Sequence, residues 1–448
     1  MDQASRALLD MGQAPELYRY APEELLPLHI EAADAVVAER RQQVPILDRR
    51  AREAGIDRIS RKSDLVPLLF PHSTYKSYPT TFVEKKRWKD LARWLTTLSS
   101  DDVTTVDFDG VTDEDEWVDR LRENGHFVIA TSGTTGKCSF LRHSTEDRAR
   151  KADAFARQLG WPFARADGSR SYFWLGPHIG VNSATDAANL GASLWSTPDN
   201  AFFLTDERLR LTDISRLAAM RRRMADGLAT PGEIAAFEKQ QQARSQALYP
   251  GIDAFIDRLL DRRNEKLSIS GTWAQHLLVR DRARERGIPD GAFHPESIVS
   301  AGGGIKNVAL PDDYQDQVAR FYGDVVRTGT YGMTEMFQLM NRCEKLRYHI
   351  PPGLLPLVLD QAGETLLNTE DVAGEVVVGR FAFVDFAITG RWSGTITSDR
   401  VEFDTGTHCL CGRPGPTILD TITRYRTDDD TIGCAGTIDG YIRGALAS

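Results

Sequence analysis

His126-Phe127-Val128-Ile129-Ala130 runs straight into Thr131-Ser132-Gly133-Thr134-Thr135-Gly136-Lys137, and the reading of this junction decides the fold. The first five residues read as a short apolar strand. The next seven offer backbone N–H groups freed by two glycines, together with four hydroxyls and one ammonium, a chemistry suited to holding a polyphosphate. The loop is not a Walker A motif, because Thr131 stands where that pattern wants glycine and Cys138 where it wants Ser or Thr. Taken alone, it is also compatible with a polar glycine turn between strand and helix.

Outward from the junction, strand-like pieces at 171–175 and 298–301 are separated by helical segments, the alternation of an α/β fold. Residues 209–263 read as a long helical section whose second helix starts at Thr230, with Pro231 at its first position and Glu233 closing a capping box. Before the junction the pattern is helical, with apolar spacing near 3.6 at 28–44 and 88–98, a polar aromatic loop at 72–79 and an acidic connection at 101–119. After residue 363 short β segments at 375–378, 383–388, 395–397 and 400–403 are divided by Gly and Asp turns. The expected organisation is a helical part at 1–125, an α/β core at 126–362 with a helical insertion at 209–263, a β-rich subdomain at 363–425, and a hinge-like segment and tail at 426–448.

The chain has 448 residues, 55 Lys plus Arg against 64 Asp plus Glu, and a formal net charge of -9. Its length allows about three domains, or one large enzyme with subdomains. An acidic balance argues against a nucleic-acid partner, since neutralising phosphates needs a basic surface. The N-terminus lacks the regions of a secretory signal and no stretch reaches the length of a membrane span, so the expected location is the cytoplasm. Five cysteines, an odd number thinly spread, do not suggest a disulfide framework.

Thr131 to Lys137 resembles the phosphate-loop signature of the adenylate-forming enzymes, the superfamily of acyl-CoA ligases, peptide-synthetase adenylation domains and luciferases. Two further segments agree in order: Ser300-Ala301-Gly302-Gly303-Gly304 is similar to the glycine-rich strand end beside the adenine and acyl sites, and Tyr331-Gly332-Met333-Thr334-Glu335 is similar to the YGxTE motif. Thr397-Ser398-Asp399 resembles the segment whose Asp binds the ribose, and Arg426-Thr427-Asp428-Asp429 the hinge, with Tyr425 in place of its glycine. The resemblance implies ATP-dependent carboxylate activation to an acyl-adenylate, with Mg²⁺, followed by thioester formation. It implies that Lys137 and residues 131–136 hold phosphates, Gly302 and Gly303 flank the nucleotide, and Thr334 contacts the α-phosphate. By the same resemblance Glu335 binds Mg²⁺, Tyr331 with Gly332 packs on adenine, and Asp399 and Arg426 reach the ribose. Gly304, Met333 and His178 fall on the acyl side; His178 is equally readable as a satisfied core histidine.

Tyr75-Lys76-Ser77-Tyr78-Pro79, Tyr348-His349-Ile350-Pro351-Pro352 and Gly433-Cys434 are similar to the phenylacetate-CoA ligase branch and, within it, to bacterial acyl-protein synthetases. That resemblance implies a mobile C-terminal domain missing or vestigial, self-acylation on Cys434, a fatty or aryl acid as substrate, and an acyl-accepting reductase or carrier protein as partner. CoA as acceptor is the alternative, and a noncatalytic nucleotide-binding scaffold is a third reading. Independently of the resemblance, Cys343 with His349 and Cys409 with Cys411 supply four borderline or soft ligands, for which zinc is the natural ion; without a standard CxxC pair, core thiols and a surface histidine stay open.

Overall fold

The computed structural model describes residues 1–131, 137–302, 310–370, 372 and 374–425. The chain forms two compact units. The first takes Met1–Ile129, Ser139–Ala164 and the described residues from Thr330 on; the second takes the described residues of Ala130–Cys138 and Arg165–Gly329.

The second unit is built on a five-stranded sheet in the spatial order Ala201–Thr205, Ser171–Pro177, Leu267–Thr272, Ile298–Gly302, Val326–Thr328. Every neighbouring pair is parallel. Parallel neighbours need crossovers, supplied by helices such as Ser183–Trp195 and Trp273–Glu285, and strands covered on both faces read as apolar runs. Phe173, Leu175, Ile269 and Val299 accordingly share one core with Ile256, Leu259 and Phe321. The chain leaves Ser171–Pro177 toward one side and returns to Leu267–Thr272 on the other. The strand order therefore reverses between these two, and in open parallel sheets ligands bind outside the carboxyl ends of the strands at such a point. The helix Pro231–Asp261 starts as its residues dictate: the Thr230 side chain accepts from the Glu233 N–H, and the Glu233 carboxylate accepts from the Thr230 N–H at 2.8 Å.

The first unit carries a nine-stranded sheet. Its path runs Leu354–Leu359, Val376–Asp385, Gly394–Asp404, Thr417–Leu419, Arg347–His349, Met340–Arg342, Thr330–Tyr331, with Phe70–Pro71 and Thr423–Arg424 both added to Gly394–Asp404. The four short β segments read from the sequence are thus two long strands. Gly379 and the irregularity between Arg380 and Ala382 break the alternation without ending the strand, because a Cβ at Gly379 would lie 2.5 Å from the Leu359 carbonyl oxygen. Helices Pro22–Arg41 and Pro45–Ala54 close one face, placing Val36, Val37 and Leu47 in a core with Leu65, Phe70, Leu355, Val384 and Trp392.

The acidic stretch is a solvated connection only in its first half. Asp113 caps the helix Glu114–Glu123 by accepting the Glu116 N–H, and three acidic residues in the first turn face the positive end of the helix dipole. Trp117, Val118 and Leu121 bury the other side of that helix. The loop at 72–79 likewise contains a short 3₁₀ helix, His72–Lys76, which buries Tyr75.

Candidate functional site

In the first unit the strand register places Asp399 opposite Arg424. Tyr331, on the strand that ends the sheet's path, sends its hydroxyl to Asp399 Oδ2 at 2.6 Å, while Arg424 Nε donates to Oδ1 at 2.8 Å. The Asp399 N–H donates to Thr397 Oγ1 at 3.0 Å, and that hydroxyl donates to the Phe381 carbonyl at 2.7 Å. Burial, reinforced by the Asp399 charge, holds the Tyr331 phenol far above its ordinary range, so the tyrosine is a proton donor. A carboxylate offers about four lone-pair sites. With one on each oxygen taken, Asp399 keeps acceptor capacity for two further hydroxyls. The Tyr331 ring is wedged edge-on against Phe381 at 5.7 Å. Gly332 follows because any Cβ there would sit 2.7 Å from Leu339 Cδ2. Met333 packs on the same apolar cluster as Met336, Met340 and Phe381.

Glu335 is buried at the end of this segment, held by the backbone. Arg391, 1% exposed, donates through Nη2 to the Glu335 carbonyl at 2.7 Å and through Nη1 to the Tyr75 hydroxyl at 3.2 Å and the Trp392 carbonyl at 3.1 Å. Tyr75 in turn donates to the Trp392 carbonyl at 2.9 Å. The backbone two and three residues further on is fixed from the other side: Asp385 Oδ2 accepts the N–H groups of Phe337 at 2.6 Å and Gln338 at 3.0 Å. The tyrosine of the 75–79 motif therefore supports the backbone that presents Glu335. Arg391 and Arg424 belong to none of the motifs read from the sequence. The signal for Arg424 was its place two residues before Arg426; Arg391 left none.

In the second unit Thr131 and Lys137 are both half-buried. Ala130, just before them, donates its N–H to the Val181 carbonyl at 2.9 Å. Cys138 is a packing residue, 2% exposed, with its sulfur 3.7 Å from Ser215 Oγ. His178 follows directly on the strand Ser171–Pro177, at the carboxyl end where the strand order reverses. Its ring stacks on Phe203 at 3.8 Å and its Nε2 lies 3.0 Å from Asp206 Oδ1. Gly302 ends the strand Ile298–Gly302. Ser132, Gly133, Thr134, Thr135, Gly136, Gly303, Gly304, Arg426 and Cys434 lie outside the described residues.

The four soft ligands converge within the first unit: one ligand atom each from Cys343, His349, Cys409 and Cys411 lies within 4.8 Å of all the others. Cys343 Sγ is 3.9 Å from Cys409 Sγ, and Cys411 Sγ is 3.4 Å from His349 Nε2. Tyr18 and Trp161 pack edge-on at 4.5 Å beside them, with the His349 ring 5.2 Å from Tyr18. Burial pushes the Cys409 thiol up to about 12 and the Cys343 thiol upward. Burial is the largest influence on Cys411 and acts to raise it, but hydrogen bonds from the Arg413 backbone and side chain, together with Cys409 and Cys343, leave that thiol lowered. Burial, with the Arg413 charge second, pushes His349 down to about 4, so its imidazole is neutral. A cavity of about 310 Å³ adjoins this cluster, with His349, His29, Leu25, Leu354 and Phe403 in its wall.

Among solved structures, the chain is similar to 2-hydroxyisobutyryl-CoA ligase. Against the open conformation in complex with 2-HIB-AMP and CoA the TM-score is 0.51 at 13% identity, covering 93% of this chain and 79% of that one. Against the same ligase in the thioesterification state the TM-score is 0.53 at 14% identity, covering 92% and 70%. The fold is that of the adenylate-forming ligases. The α/β architecture read from the sequence is the one observed. No family model matches the sequence, and no curated protein matches it. Among the described residues no helix is long and apolar enough to cross a membrane.

Proposed function

We propose that the protein is an AMP-forming acid–thiol ligase. The carboxylate of an acid attacks the α-phosphorus of ATP, the α–β bridging P–O bond breaks, pyrophosphate leaves with its electron pair, and an acyl-adenylate remains. The observation that carries the reading is the coincidence of an adenylate-forming fold with the loop 131–137 and the segment 331–335, in the family's order. In this reading Lys137 and the amides of residues 131–136 compensate charge building on the leaving pyrophosphate. Thr334 donates to the α-phosphate. Asp399 accepts the ribose hydroxyls with the lone pairs that Tyr331 and Arg424 leave, and Tyr331 limits the adenine pocket. Gly302 and Gly303 let the nucleotide approach the backbone, Arg426 reaches the sugar, and His178, Gly304 and Met333 border the acyl group.

The Glu335 carboxylate is an oxygen ligand of the kind Mg²⁺ prefers, and Mg²⁺ would supply charge neutralisation on the phosphates. Arg391 fixes the backbone behind that carboxylate. The second step is attack of a thiolate on the acyl-adenylate carbonyl, with AMP leaving. The acceptor is Cys434, in the manner of acyl-protein synthetases that load a partner reductase; CoA or a carrier-protein thiol is the alternative. A fatty or aryl acid fits the branch resemblance.

The test is release of AMP and pyrophosphate from ATP and Mg²⁺ over a panel of fatty and aryl acids, with intact-mass analysis of the protein. Acid-dependent pyrophosphate release lost in Lys137→Ala is expected, and an adduct absent from Cys434→Ala identifies the internal acceptor. Release of ADP, or no turnover with any acid, would overturn the reading in favour of a kinase-type reaction or a noncatalytic scaffold.

A further inference from the structure

The geometry points to a structural zinc site formed by Cys343, His349 Nε2, Cys409 and Cys411, independent of the reaction proposed above. Zinc–sulfur bonds of about 2.3 Å and a zinc–nitrogen bond of about 2.05 Å at tetrahedral angles require edges of about 3.8 Å between sulfurs and about 3.6 Å from sulfur to nitrogen. Two of the six edges are 3.9 Å and 3.4 Å, and the four atoms all lie within 4.8 Å of one another. A disulfide would need its sulfurs at about 2.05 Å, so the two thiols are free, and their 3.9 Å spacing matches the edge that one shared ion requires.

The backbone is arranged for the same purpose at two places. Cys343 donates its N–H to the Arg347 carbonyl at 2.9 Å and receives the Leu346 N–H on its own carbonyl at 3.0 Å. Cys409 repeats this with Arg413 at 2.8 Å and Gly412 at 2.9 Å. The fourth residue of each turn has a left-handed backbone, φ +56° at Leu346 and +87° at Gly412. Leucine reaches that region at a cost of about 1–2 kcal/mol, and the Leu346 side chain is exposed and packs little in return. What the turn does gain is an amide aimed at sulfur: the Lys345 N–H donates to Cys343 Sγ at 3.4 Å, and the Cys411 N–H does the same for Cys409. Amides directed at sulfur favour the thiolate, which is the ligand form.

Leu17, Tyr18 and Trp161 bury Cys343, the half-buried Cys409 and Cys411 pack against the same cluster, and the Arg413 guanidinium lies 4.5 Å from the Trp161 ring centre. Three thiolates and a neutral imidazole leave a Zn²⁺ centre with one net negative charge, and Arg413 is the cation beside it. Four protein ligands fill a tetrahedral ion, so the site is closed to substrate and its role is to hold the two turns together. Binding releases three thiol protons to solvent and leaves the oxidation states unchanged.

Metal analysis of the full chain, purified without chelator, is expected to give one zinc per chain, released by a mercurial that modifies the thiols. Cys138→Ala should keep the full content. Cys411→Ser should lose more than about 100-fold in affinity, beyond what changes one shell removed from a metal typically cost. If that variant does not fold, chelator-treated wild-type protein is titrated with Co²⁺ instead. A stoichiometric thiolate-to-cobalt charge-transfer band and a raised melting temperature support the site. Wild-type protein that takes up neither ion, or peptide mapping that finds a Cys343–Cys409 disulfide in the native chain, overturns it.

Discussion

Replacing Tyr331 with phenylalanine keeps the ring against Phe381 and removes one oxygen, so it isolates the 2.6 Å bond to Asp399. Hydrogen bonds to an ionised group are worth about 1.5–3 kcal/mol net, and this one is buried on the tyrosine side. Asp399 keeps Arg424 at 2.8 Å, so the carboxylate is not left alone and the loss should stay within that range. For a unit of this size the melting temperature should fall by about 2–4 °C for each kcal/mol. The clean measurement is a double-mutant cycle on urea unfolding without nucleotide, with Tyr331→Phe, Asp399→Ala and the pair. The sum of the two single losses should exceed the double loss by about 1.5–3 kcal/mol. A coupling below about 0.5 kcal/mol, the level of independent sites, would refute a net stabilising contribution from this bond.

Two further outcomes follow from the same geometry. Gly332→Ala brings a methyl to 2.7 Å from the end of the flexible Leu339 side chain, so it should destabilise by about 1 kcal/mol, with recovery when Leu339 is shortened to valine; denaturant melts of the single and double variants decide it. Burial pushes His29 down to about 4 in the folded chain, against 6.5 for the free group, while its Nε2 donates to the Pro352 carbonyl at 2.7 Å. The unfolded chain therefore binds the extra proton first. Stability is fully present above pH 6.5 and falls by about 3 kcal/mol as pH drops to about 4. His29→Asn should flatten that slope in urea melts taken from pH 7 to 4, and an unchanged slope would assign the acid sensitivity elsewhere.

The α/β alternation, the Thr230 cap and the grouping of four Cys and His side chains were legible because each depends on neighbours in sequence or on side-chain chemistry alone. Strand continuity was not. Gly379 looked like a turn, and only the approach of the Leu359 carbonyl, set by a partner strand, shows it to be an interior position. Arg391 was invisible for a similar reason. Its hydrogen bonds reach Glu335 and Tyr75 across 56 and 316 residues, and no local pattern marks a buried guanidinium whose partners are backbone carbonyls and a phenol. Asp399 could be picked out by resemblance, but its pairing with Arg424 follows from strand register, which depends on the whole sheet.

The first unit is assembled from three separated stretches of chain, and this sets an order of events at the ribosome. Residues 165–329 of the second unit are contiguous, so that part can close as it emerges. The amino-terminal helices are synthesised far earlier yet wait far longer, since the Tyr75 hydroxyl finds the Trp392 carbonyl 317 residues later and Phe70 pairs with Thr395. Until then Leu47, Leu65 and Phe70 lack the strands that cover them. Contacts of such sequence separation form slowly, and the exposed apolar surface invites aggregation. A nascent chain stalled before residue 394 should therefore be a substrate for chaperones that bind apolar segments, and release from them should track completion of the Gly394–Asp404 strand rather than closure of the parallel sheet.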